Sequence, residues 1–447
     1  MMRGLLTILF LILLALTLRL GMLLYAASTV AALWLVCRGL VRLWGRSVTA
    51  QRRTSQTVAE IGDAVTIQIS ITNTGRWAIP WLIAEDLLPP QALIFEPPNL
   101  QVNGRRMQLT KLAAGQSASM LYQLTGNRRG YYQVGPLLME TGDLFGLYRH
   151  FRVVAAPHFL MIYPRVIPLQ GYDIASRRPL GEVRLTYRLF EDPTRVAGVR
   201  PYQPGDPLNR VHWRATARTG QLHSKEFEPS CLAGATVLLD FHRDQYPQRH
   251  EPVRSDLAVT TAASVAHALY QMGHQVGLLS NGRDAAHRLR DEGWQWEGTT
   301  RARLRNRVAM RVSDDHLQPL HVETRRGPET WHRIMETLAR VELTDGLSLD
   351  AMVREYAWRM PRDATVVAIV SSVTPVVSMA LHDLRRHGFA VAAVLNLYDS
   401  YDFSQASGAL LAQGIRAYHL RDETSIGTIC QETSCHAASN PLGSTTS

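Results

Sequence analysis

Lysine is nearly absent from this chain of 447 residues. Arginine supplies almost all of the 48 basic side chains, and lysine stands only at Lys111 and Lys225. Few candidates therefore exist for a lysine nucleophile or a Schiff base. The motifs Gly-x-Ser-x-Gly and His-Glu-x-x-His and a glycine-rich phosphate loop are also missing. These absences predict that the protein is not an enzyme.

Cysteine is scarce as well, with four residues at Cys37, Cys231, Cys430 and Cys435. Their positions do not suggest a disulfide framework, because one lies in an apolar block and two lie in a Ser/Thr-rich tail. Cys430 and Cys435 with His436 match no strong zinc spacing. We predict unpaired thiols in a reducing compartment.

Runs of like charge are missing too, although the formal net charge is +10. The chain has no block of five or six basic residues, and its arginines are scattered among acidic residues. Such scatter is typical of a solvated surface. We therefore expect no nucleic-acid partner.

The N-terminus carries a long apolar run in which Arg19 is the only charge between Gly4 and Val36. One span needs ~20 residues, so this run is long for one helix and short for two. We predict two short spans, about 2–18 and 21–43, with Arg19 at the turn of a hairpin. A cleaved signal peptide is the alternative, because Arg3 and the small residues near Ala26 fit one.

The flank after the second span is basic up to Glu60, the first acidic residue. Its arginines are Arg38, Arg42, Arg46, Arg52 and Arg53. Positive flanks stay in the cytoplasm and attract anionic lipid headgroups. We therefore predict a multi-pass protein of the bacterial inner membrane, in contact with membrane lipid, with the bulk of the chain in the cytoplasm.

A β-rich module follows the anchor. Val65, Ile67, Ile69 and Ile71 alternate with polar residues, the period of a half-buried strand. Further strands are predicted at 120–124 and 131–134, separated by turn residues. Short, punctuated strands indicate an immunoglobulin-like β-sandwich. Trp77 and Trp81 are interpreted as core residues, with a binding face as the alternative.

The pattern changes after residue 230 to strands that alternate with helices, which predicts a covered parallel sheet. The predicted strands are 235–239, 275–280, 365–370 and 390–395, and the predicted helices are 255–272, 329–340, 347–358 and 376–387. The arginine-rich stretch 283–327 is interpreted as a solvated loop, with a partner-docking or phosphate-binding insertion as the alternatives. These patterns give a hairpin anchor (1–48), a β-rich module (49–165), a connector (166–230), an α/β domain (231–422) and a flexible tail (423–447).

The end of the first strand of this domain resembles the metal site of the von Willebrand factor A domain, which begins with Asp-x-Ser-x-Ser. Here the stretch is Asp240-Phe241-His242-Arg243-Asp244, so both serines are replaced. The candidate ligands of a degenerate magnesium site are Asp240, Asp244, Thr344 and Ser371. Asp240 bonded to loop amides, or capping a helix, is the alternative. No other cofactor is expected.

The connector contains the motif Tyr202-Gln203-Pro204-Gly205-Asp206, followed by Asn209-Arg210-Val211-His212-Trp213 and by Ala217-Arg218-Thr219-Gly220. With Arg129-Gly130-Tyr131 and Asp143-Leu144-Phe145-Gly146-Leu147, these segments resemble the bacterial family of domain of unknown function fifty-eight. Asn209 stands where the family often has arginine. The resulting fold class is α/β plus β: a transmembrane hairpin, an immunoglobulin-like sandwich and a von Willebrand factor A-like parallel α/β sheet.

The resemblance implies a membrane-anchored scaffold or adaptor that works with a MoxR-type AAA+ ATPase and other membrane proteins. The partner or interdomain signature comprises Arg200, Tyr202, Gly205, Asp206, Trp213, Arg218 and Lys225; burial of Trp213 against a neighbouring domain is the expected structural role. Two other functions stay open. One is a metal-assisted hydrolase that uses Asp206, His212 or His242 with Asp240. The other is extracytoplasmic adhesion, which requires the opposite topology.

Overall fold

The structure is a computed structural model that describes residues 21–94, 96–146, 148–169, 190–202, 211–230, 234–291, 318–361 and 364–428. The chain divides into two compact units. The first comprises Met1–Tyr163 and Leu289–Val312, and the second comprises Pro164–Arg288 and Ser313–Ser447.

The first described element is one long helix, α1 (Gly21–Ser47), of 27 residues. Its segment Leu24–Ser47 is long and apolar enough to cross a membrane. This agrees with the second predicted span, although the helix continues beyond residue 43. The first predicted span, and with it the turn of the hairpin at Arg19, lies outside the described residues.

The first unit is built from short strands in two four-stranded sheets and a smaller three-stranded sheet. One four-stranded sheet has the order β1-β3-β7-β5, the other β10-β9-β4-β6, and the small one β2-β11-β8. The bounds are β1 (Val48–Thr54), β2 (Val58–Ala59), β3 (Ala64–Asn73), β4 (Ile79–Asp86), a short helix α2 (Pro90–Ile94), β5 (Leu100–Gly104), β6 (Met107–Leu112), β7 (Ser117–Gly126), β8 (Gly130–Val134), β9 (Leu137–Gly142), β10 (Arg149–Ala155) and β11 (His158–Ile162).

The two larger sheets enclose one hydrophobic core, which is the arrangement of a β-sandwich. Ile67 and Ile69 of β3 meet Leu82 of β4 and Met139 of β9 in that core. The alternation of isoleucine with polar residues in β3 reflects this packing, because successive side chains of a strand point to opposite faces. The three strands predicted in this module are confirmed within β3, β7 and β8.

Two side chains of this unit lie where the sequence does not predict them. Trp77 is 65% exposed, so its interpretation as a core residue is wrong, whereas Trp81 is half-buried.

Arg52 is not part of a basic flank: its side chain is fully buried in an ion pair with Asp86. Tyr122 donates a hydrogen bond from its hydroxyl to the same carboxylate at 2.6 Å.

The second unit contains a six-stranded sheet of order β17-β15-β14-β19-β20-β21. The described elements are β12 (Phe190–Pro201), α3 (Trp213–Thr219), β13 (His223–Ser230), β14 (Gly234–Leu239), α4 (Val253–Gln271), β15 (Gln275–Ser280), β16 (Arg283–Asp284), α5 (Ala285–Asp291), β17 (Leu320–Arg325), α6 (Pro328–Arg340), β18 (Val341–Glu342), α7 (Leu349–Tyr356), β19 (Ala364–Val370), α8 (Pro375–Arg386), β20 (Ala390–Leu395), α9 (Ser400–Ala412), β21 (Arg416–His419) and α10 (Glu423–Thr428).

Five strands of this sheet are parallel, and β17 at one edge is antiparallel. Helices α7, α8 and α9 share a core with alternate residues of β19 and β20. Helices α4 and α6 pack on β14, β15 and β17. The sheet is therefore covered by helices, as the apolar strands predict.

The order of the strands reverses between β14 and β19. The first strand, β14, lies in the middle of the sheet, with β15 on one side and β19 on the other. This is the doubly wound order, and ligands of such sheets bind outside the carboxyl ends of the strands at the reversal. The ends of β14 and β19 are therefore the place to look for function.

Two predictions for this unit are corrected at their boundaries. The stretch 283–327 is not loop throughout, because it supplies β16, α5 and the edge strand β17. The predicted tail begins too early, because residues 423–428 form α10 and Ile426 is fully buried. The remainder of both segments, including Trp294 and Trp296, lies outside the described residues.

Candidate functional site

A row of buried polar residues lies at the carboxyl edge of the six-stranded sheet. In the order of the strands across the sheet, Asn281 follows β15, Asp240 follows β14, Ser371 follows β19 and Asn396 follows β20. Their exposed fractions are 3%, 0%, 8% and 3%. We call these four residues the polar edge. Each stands directly after an apolar strand, so the sheet itself brings them side by side.

Asp240 and Asn281 form one half of the polar edge. The Nδ2 group of Asn281 donates to Oδ1 of Asp240 at 2.9 Å, and the amide of His242 donates to the same oxygen at 3.3 Å. Asn281 also accepts a hydrogen bond from the amide of Phe241 at 2.6 Å and donates to the carbonyl of Leu347 at 3.1 Å. The alternative that Asp240 bonds a loop amide is therefore confirmed.

The second carboxylate oxygen of Asp240, Oδ2, is buried and accepts no hydrogen bond in the described structure. Burial raises the pKa of this carboxyl, and the hydrogen bonds from Asn281 and His242 oppose that effect. A buried carboxylate that is only half satisfied is costly to ionise. Asp240 is therefore suited to hold a proton or to meet a cationic group.

Ser371 and Asn396 form the other half, together with Arg254 of α4. Nη1 of Arg254 donates to Oδ1 of Asn396 at 3.0 Å, while Nδ2 of Asn396 donates to the carbonyl of Arg254 at 2.9 Å and to Oγ of Ser371 at 3.2 Å. Arg254 also lies 5.2 Å from the ring centroid of Tyr398, and its Nη2 is buried without a hydrogen bond. The arginine thus ties helix α4 to the end of β20.

The other predicted metal ligands lie in different surroundings. The side chain of Asp244 is 83% exposed, and its carboxylate lies 3.7 Å from Nδ1 of His242. Thr344 is buried, but its hydroxyl accepts a hydrogen bond from the amide of Gly346 at 3.0 Å. Among the described residues, no group of three or more His, Cys, Asp and Glu residues is placed to hold a metal.

Both candidate histidines of the hydrolase alternative cap short turns. Nδ1 of His212 accepts a hydrogen bond from the amide of Ala215 at 3.0 Å, at the start of α3. Nδ1 of His242 accepts one from the amide of Asp244 at 3.3 Å. Each ring is therefore oriented by its own backbone, in the manner of a helix cap.

Three residues of this site are missed by sequence reasoning, namely Arg254, Asn281 and Asn396. Two of them carry a signal that could have found them, because each asparagine follows an apolar strand directly, as Asp240 does. Arg254 carries no such signal. It stands in the first turn of α4, and it is buried because its Nη1 reaches Oδ1 of Asn396 after β20 and the carbonyls of Leu420 and Arg421 after β21.

The signature of the connector surrounds the short helix α3. Arg200 of β12 pairs with Ser224, and Val199 pairs with Lys225 of β13. Tyr202 donates its amide to the carbonyl of Leu222 at 2.9 Å. Gly205 and Asp206 lie outside the described residues.

Trp213 and Arg218 lie on the surface of this segment. Trp213 begins α3 and is 68% exposed, and its expected burial against the neighbouring domain stays a prediction. Arg218 stands in the last turn of the same helix and is also exposed. None of the residues of α3 is buried. The helix therefore presents an aromatic ring and an arginine to solvent.

Comparison with known proteins finds a family similarity in this part of the chain. Residues 198–292 match the family described as "Protein of unknown function DUF58". The match runs from the end of β12 through α5, so it includes α3, Asp240 and Asn281. It confirms the resemblance predicted from the connector for this part of the chain.

One curated relative is the "Uncharacterized protein YeaD" of Bacillus subtilis (strain 168). It is 27% identical over 249 residues, which are 55% of this chain and 59% of the relative. The match thus spans somewhat more than half the length of each protein. Its printed name assigns it no activity.

Some solved structures resemble part of the chain. They include the CARDB domain of PF1109 from Pyrococcus furiosus, at 10% identity and a TM-score of 0.18, over 26% of this chain and 91% of that domain. A FixG-related protein from Vibrio parahaemolyticus has 6% identity and a TM-score of 0.18, over 26% of this chain and 96% of its own. Scores this low support no argument about function.

Proposed function

We propose that this protein is a membrane-anchored scaffold or adaptor that binds a MoxR-type AAA+ ATPase through its C-terminal α/β unit. In this proposal the unit is a von Willebrand factor A-like domain, the sandwich is immunoglobulin-like, and both lie on the cytoplasmic face of a bacterial inner membrane. The anchor is a two-span hairpin that ends with α1. The choice of an ATPase as partner rests on the family resemblance.

The observation that carries the proposal is the polar edge at the reversal of a doubly wound sheet. Such edges are where ligands of this architecture bind. Here the edge contains Asp240, a buried acid with an unsatisfied oxygen, and no assembled nucleophile and base accompany it among the described residues. Asp240 itself is 0% exposed, but Asp244 in the loop that follows it is 83% exposed, so an arginine or lysine side chain of a partner would be attracted to this edge through Asp244. The chemistry of the edge therefore favours binding of a protein over catalysis.

The exposure of helix α3 supports the same proposal. Aromatic and arginine side chains are enriched at the energetic centres of protein interfaces. Trp213 and Arg218 present both to solvent on one short helix. We therefore assign the partner surface to α3, and the motif residues of β12 and β13 to the support of that helix.

Magnesium at Asp240, Asp244, Thr344 and Ser371 stays a prediction, and the adaptor role does not require it. Magnesium demands near-octahedral oxygen ligands. Oδ1 of Asp240 and the hydroxyl oxygens of Ser371 and Thr344 already accept hydrogen bonds, and Asp244 faces solvent, which leaves Oδ2 of Asp240 as the one buried carboxylate oxygen of the set without a hydrogen bond. We expect no change in melting temperature when magnesium chloride is added to the metal-free protein. A saturable increase in melting temperature with magnesium concentration would show that the protein binds the ion and would support the predicted metal site.

The topology can be tested with reporter fusions after residue 60 and after residue 428. We expect a cytoplasm-active reporter, such as a fluorescent protein, to be functional at both sites. A periplasm-only reporter, such as alkaline phosphatase, should be inactive at both, because the arginines of α1 hold this flank inside. Activity of the periplasmic reporter would reject the ATPase proposal and favour the adhesion alternative.

The partner surface can be tested by co-purification. We expect Trp213→Ala to reduce recovery of the MoxR-type ATPase at least tenfold, because loss of a central aromatic costs ~2 kcal/mol or more at an interface. The matched control is Trp358→Ala, since Trp358 is 74% exposed in the same unit but lies outside the signature. The measurement is recovery of the ATPase with detergent-solubilised protein, with and without nucleotide.

The outcomes separate the proposals. Equal loss with both variants would point to a general effect of exposed tryptophan and remove α3 from the interface. No recovery with the unmodified protein, under either nucleotide condition, would contradict the adaptor function itself.

A further inference from the structure

The turn between β9 and β10 lies beside helix α1, and its motif, Asp143-Leu144-Phe145-Gly146-Leu147, is not explained by the proposed adaptor role. The guanidinium group of Arg38 lies 5.7 Å from the ring centroid of Tyr148, at the start of β10. Nη1 of Arg152, further along β10, donates to the carbonyl of Gly45 at 3.1 Å. Strand β10 and the helix therefore run in the same direction.

This arrangement points the turn toward the apolar part of the helix. Arg152, which is further from the turn, contacts Gly45 of the helix, and Tyr148, which is next to the turn, contacts Arg38. The turn itself therefore lies beside the part of the helix that precedes Arg38. Residues 24–37, N-terminal to Arg38, are the uncharged part of the segment Leu24–Ser47 that is long and apolar enough to cross a membrane. Arg38 also lies 5.2 Å from the ring centroid of Trp34, so aromatic rings flank the arginine at this level. Aromatic residues of this kind gather at membrane interfaces.

The tip of the turn is apolar and exposed. Leu144 is 75% exposed and Phe145 is 68% exposed, next to each other in the chain. Hydrogen bonds fix the conformation of the turn, because the carboxylate of Asp143 accepts one from the amide of Phe145, at 2.8 Å, and another from the amide of Tyr148. Gly146 adopts a positive φ of 73° there. A braced turn with two large apolar side chains at its tip is costly to leave in water.

Basic groups lie on the side of this tip that faces the sandwich. Arg42, Arg46 and Arg152 are exposed, and their charges surround His150. Together with burial of the ring, these charges lower the pKa of His150 below its usual range. From Arg38 to Arg46 the helix rises ~12 Å, which is comparable to the depth of a headgroup layer and its margin. Positive charges at this height complement anionic lipid phosphates.

We propose that the turn at Asp143–Gly146 is a second membrane contact, in which Leu144 and Phe145 enter the bilayer interface beside α1 while Arg42, Arg46 and Arg152 face anionic phospholipid headgroups. This inference rests on the proposed membrane anchor. It adds that the sandwich is fixed at a defined height and orientation on the bilayer, since a helix and a turn together make two points of attachment.

The depth of the turn can be measured on the full chain in nanodiscs that contain phosphatidylglycerol. The four native cysteines are replaced, and a nitroxide label is attached in separate variants at Leu144→Cys, Leu33→Cys and Met107→Cys. Leu33 lies in the apolar part of α1 and is 42% exposed, and Met107 is 50% exposed at the opposite end of the same sheet as the turn. Collision rates with oxygen and with a water-soluble nickel chelate report depth.

We expect the labels at residues 33 and 144 to collide with oxygen and to be shielded from nickel, and the label at residue 107 to show the reverse. If residue 33 lies in lipid but residue 144 resembles residue 107, the anchor is correct and the second contact is wrong. If residue 33 is itself exposed to nickel, the membrane anchor of the proposed function fails. The three labels therefore separate the two failures.

The lipid chemistry has its own test. With Arg42→Gln and Arg46→Gln combined, we expect the shielding of residue 144 from nickel to lose its dependence on phosphatidylglycerol content. The control is Arg105→Gln, an exposed arginine at the turn between β5 and β6. If the shielding of residue 144 depends equally on phosphatidylglycerol content with Arg42 and Arg46 intact, in the double variant and in the Arg105→Gln control, the arginines do not contact the headgroups.

Discussion

Replacing Asp86 by alanine should lower the free energy of unfolding of the sandwich unit by about 3–5 kcal/mol, because it leaves the guanidinium group of Arg52 buried without a counterion. Both side chains of this pair are fully buried. Nε of Arg52 donates to the carboxylate at 3.2 Å, and its Nη1 donates to the carbonyl of Ala156 at 2.7 Å. Burial and the neighbouring carboxylate raise the pKa of Tyr122, so its hydroxyl stays protonated and remains a donor to Asp86.

The measurement is chemical denaturation of the detergent-solubilised chain, followed by hydrogen exchange in β3 and β7. Asp63→Ala is the matched control, because Asp63 is an exposed aspartate of the same unit. We expect the control to change stability by no more than ~0.5 kcal/mol. The double variant Arg52→Met with Asp86→Leu should recover part of the loss, since it removes both buried charges. Equal effects of Asp86→Ala and Asp63→Ala would show that the pair contributes little.

Replacing Asp240 by asparagine should stabilise the α/β unit at neutral pH. Burial raises the pKa of Asp240 above its value in the unfolded chain, so the folded state binds this proton more tightly. The stability that comes from the proton is present at low pH and is lost as pH rises from about 4 through the folded pKa. Asparagine retains an oxygen that accepts from Asn281 and His242 but has no charge to bury.

The advantage of Asp240→Asn should therefore grow with pH across that window and then level off. It amounts to about 1.4 kcal/mol for each unit by which the pKa is raised. The measurement is the free energy of unfolding of both proteins from pH 4 to pH 8, without divalent cations. Destabilisation by the substitution at neutral pH would mean that the charge of Asp240 is used, and would revive the cation site.

Asp350→Asn supplies a control of opposite sign. Hydrogen bonds from Ser348 and Arg354 lower the pKa of Asp350, and burial opposes them. A lowered pKa means that the charged form contributes stability above the unfolded pKa, which is lost as pH falls through the folded pKa. Asp350→Asn should therefore destabilise the unit at neutral pH, by an amount that shrinks as pH falls from about 4 through the folded pKa.

Much of the fold could be predicted because local patterns report which faces are buried. The alternating isoleucines predict β3, and the apolar runs predict β15 and β20 at their observed bounds. The stretch 283–327 is mispredicted, because an exposed edge strand such as β17 has only one buried side chain and little apolar signal. Short elements of this kind form when a neighbouring strand supplies their hydrogen bonds.

Half of the candidate site could be predicted in the same way. Asp240 and Ser371 follow apolar strands, and parallel strands of one sheet end at a common edge. Asp244 shows the limit of the pattern, because the chain forms a short 3-10 turn at Arg243–Gln245 and the carboxylate of Asp244 faces solvent there. The exposure of Trp213 could not be predicted either, since composition favours burial of tryptophan and only packing decides it.

The amino-acid sequence by itself determined the apolar helix, the sandwich, the covered sheet and the acid at the end of β14, because each depends on local periodicity or on strand ends. Only the tertiary structure decided that Arg52 is buried while Arg53 beside it is exposed, and that Arg254 reaches Asn396 across 142 residues of chain. The physical reason is that the energy of a charge depends on what surrounds it in space. Neighbours in the chain do not specify those surroundings.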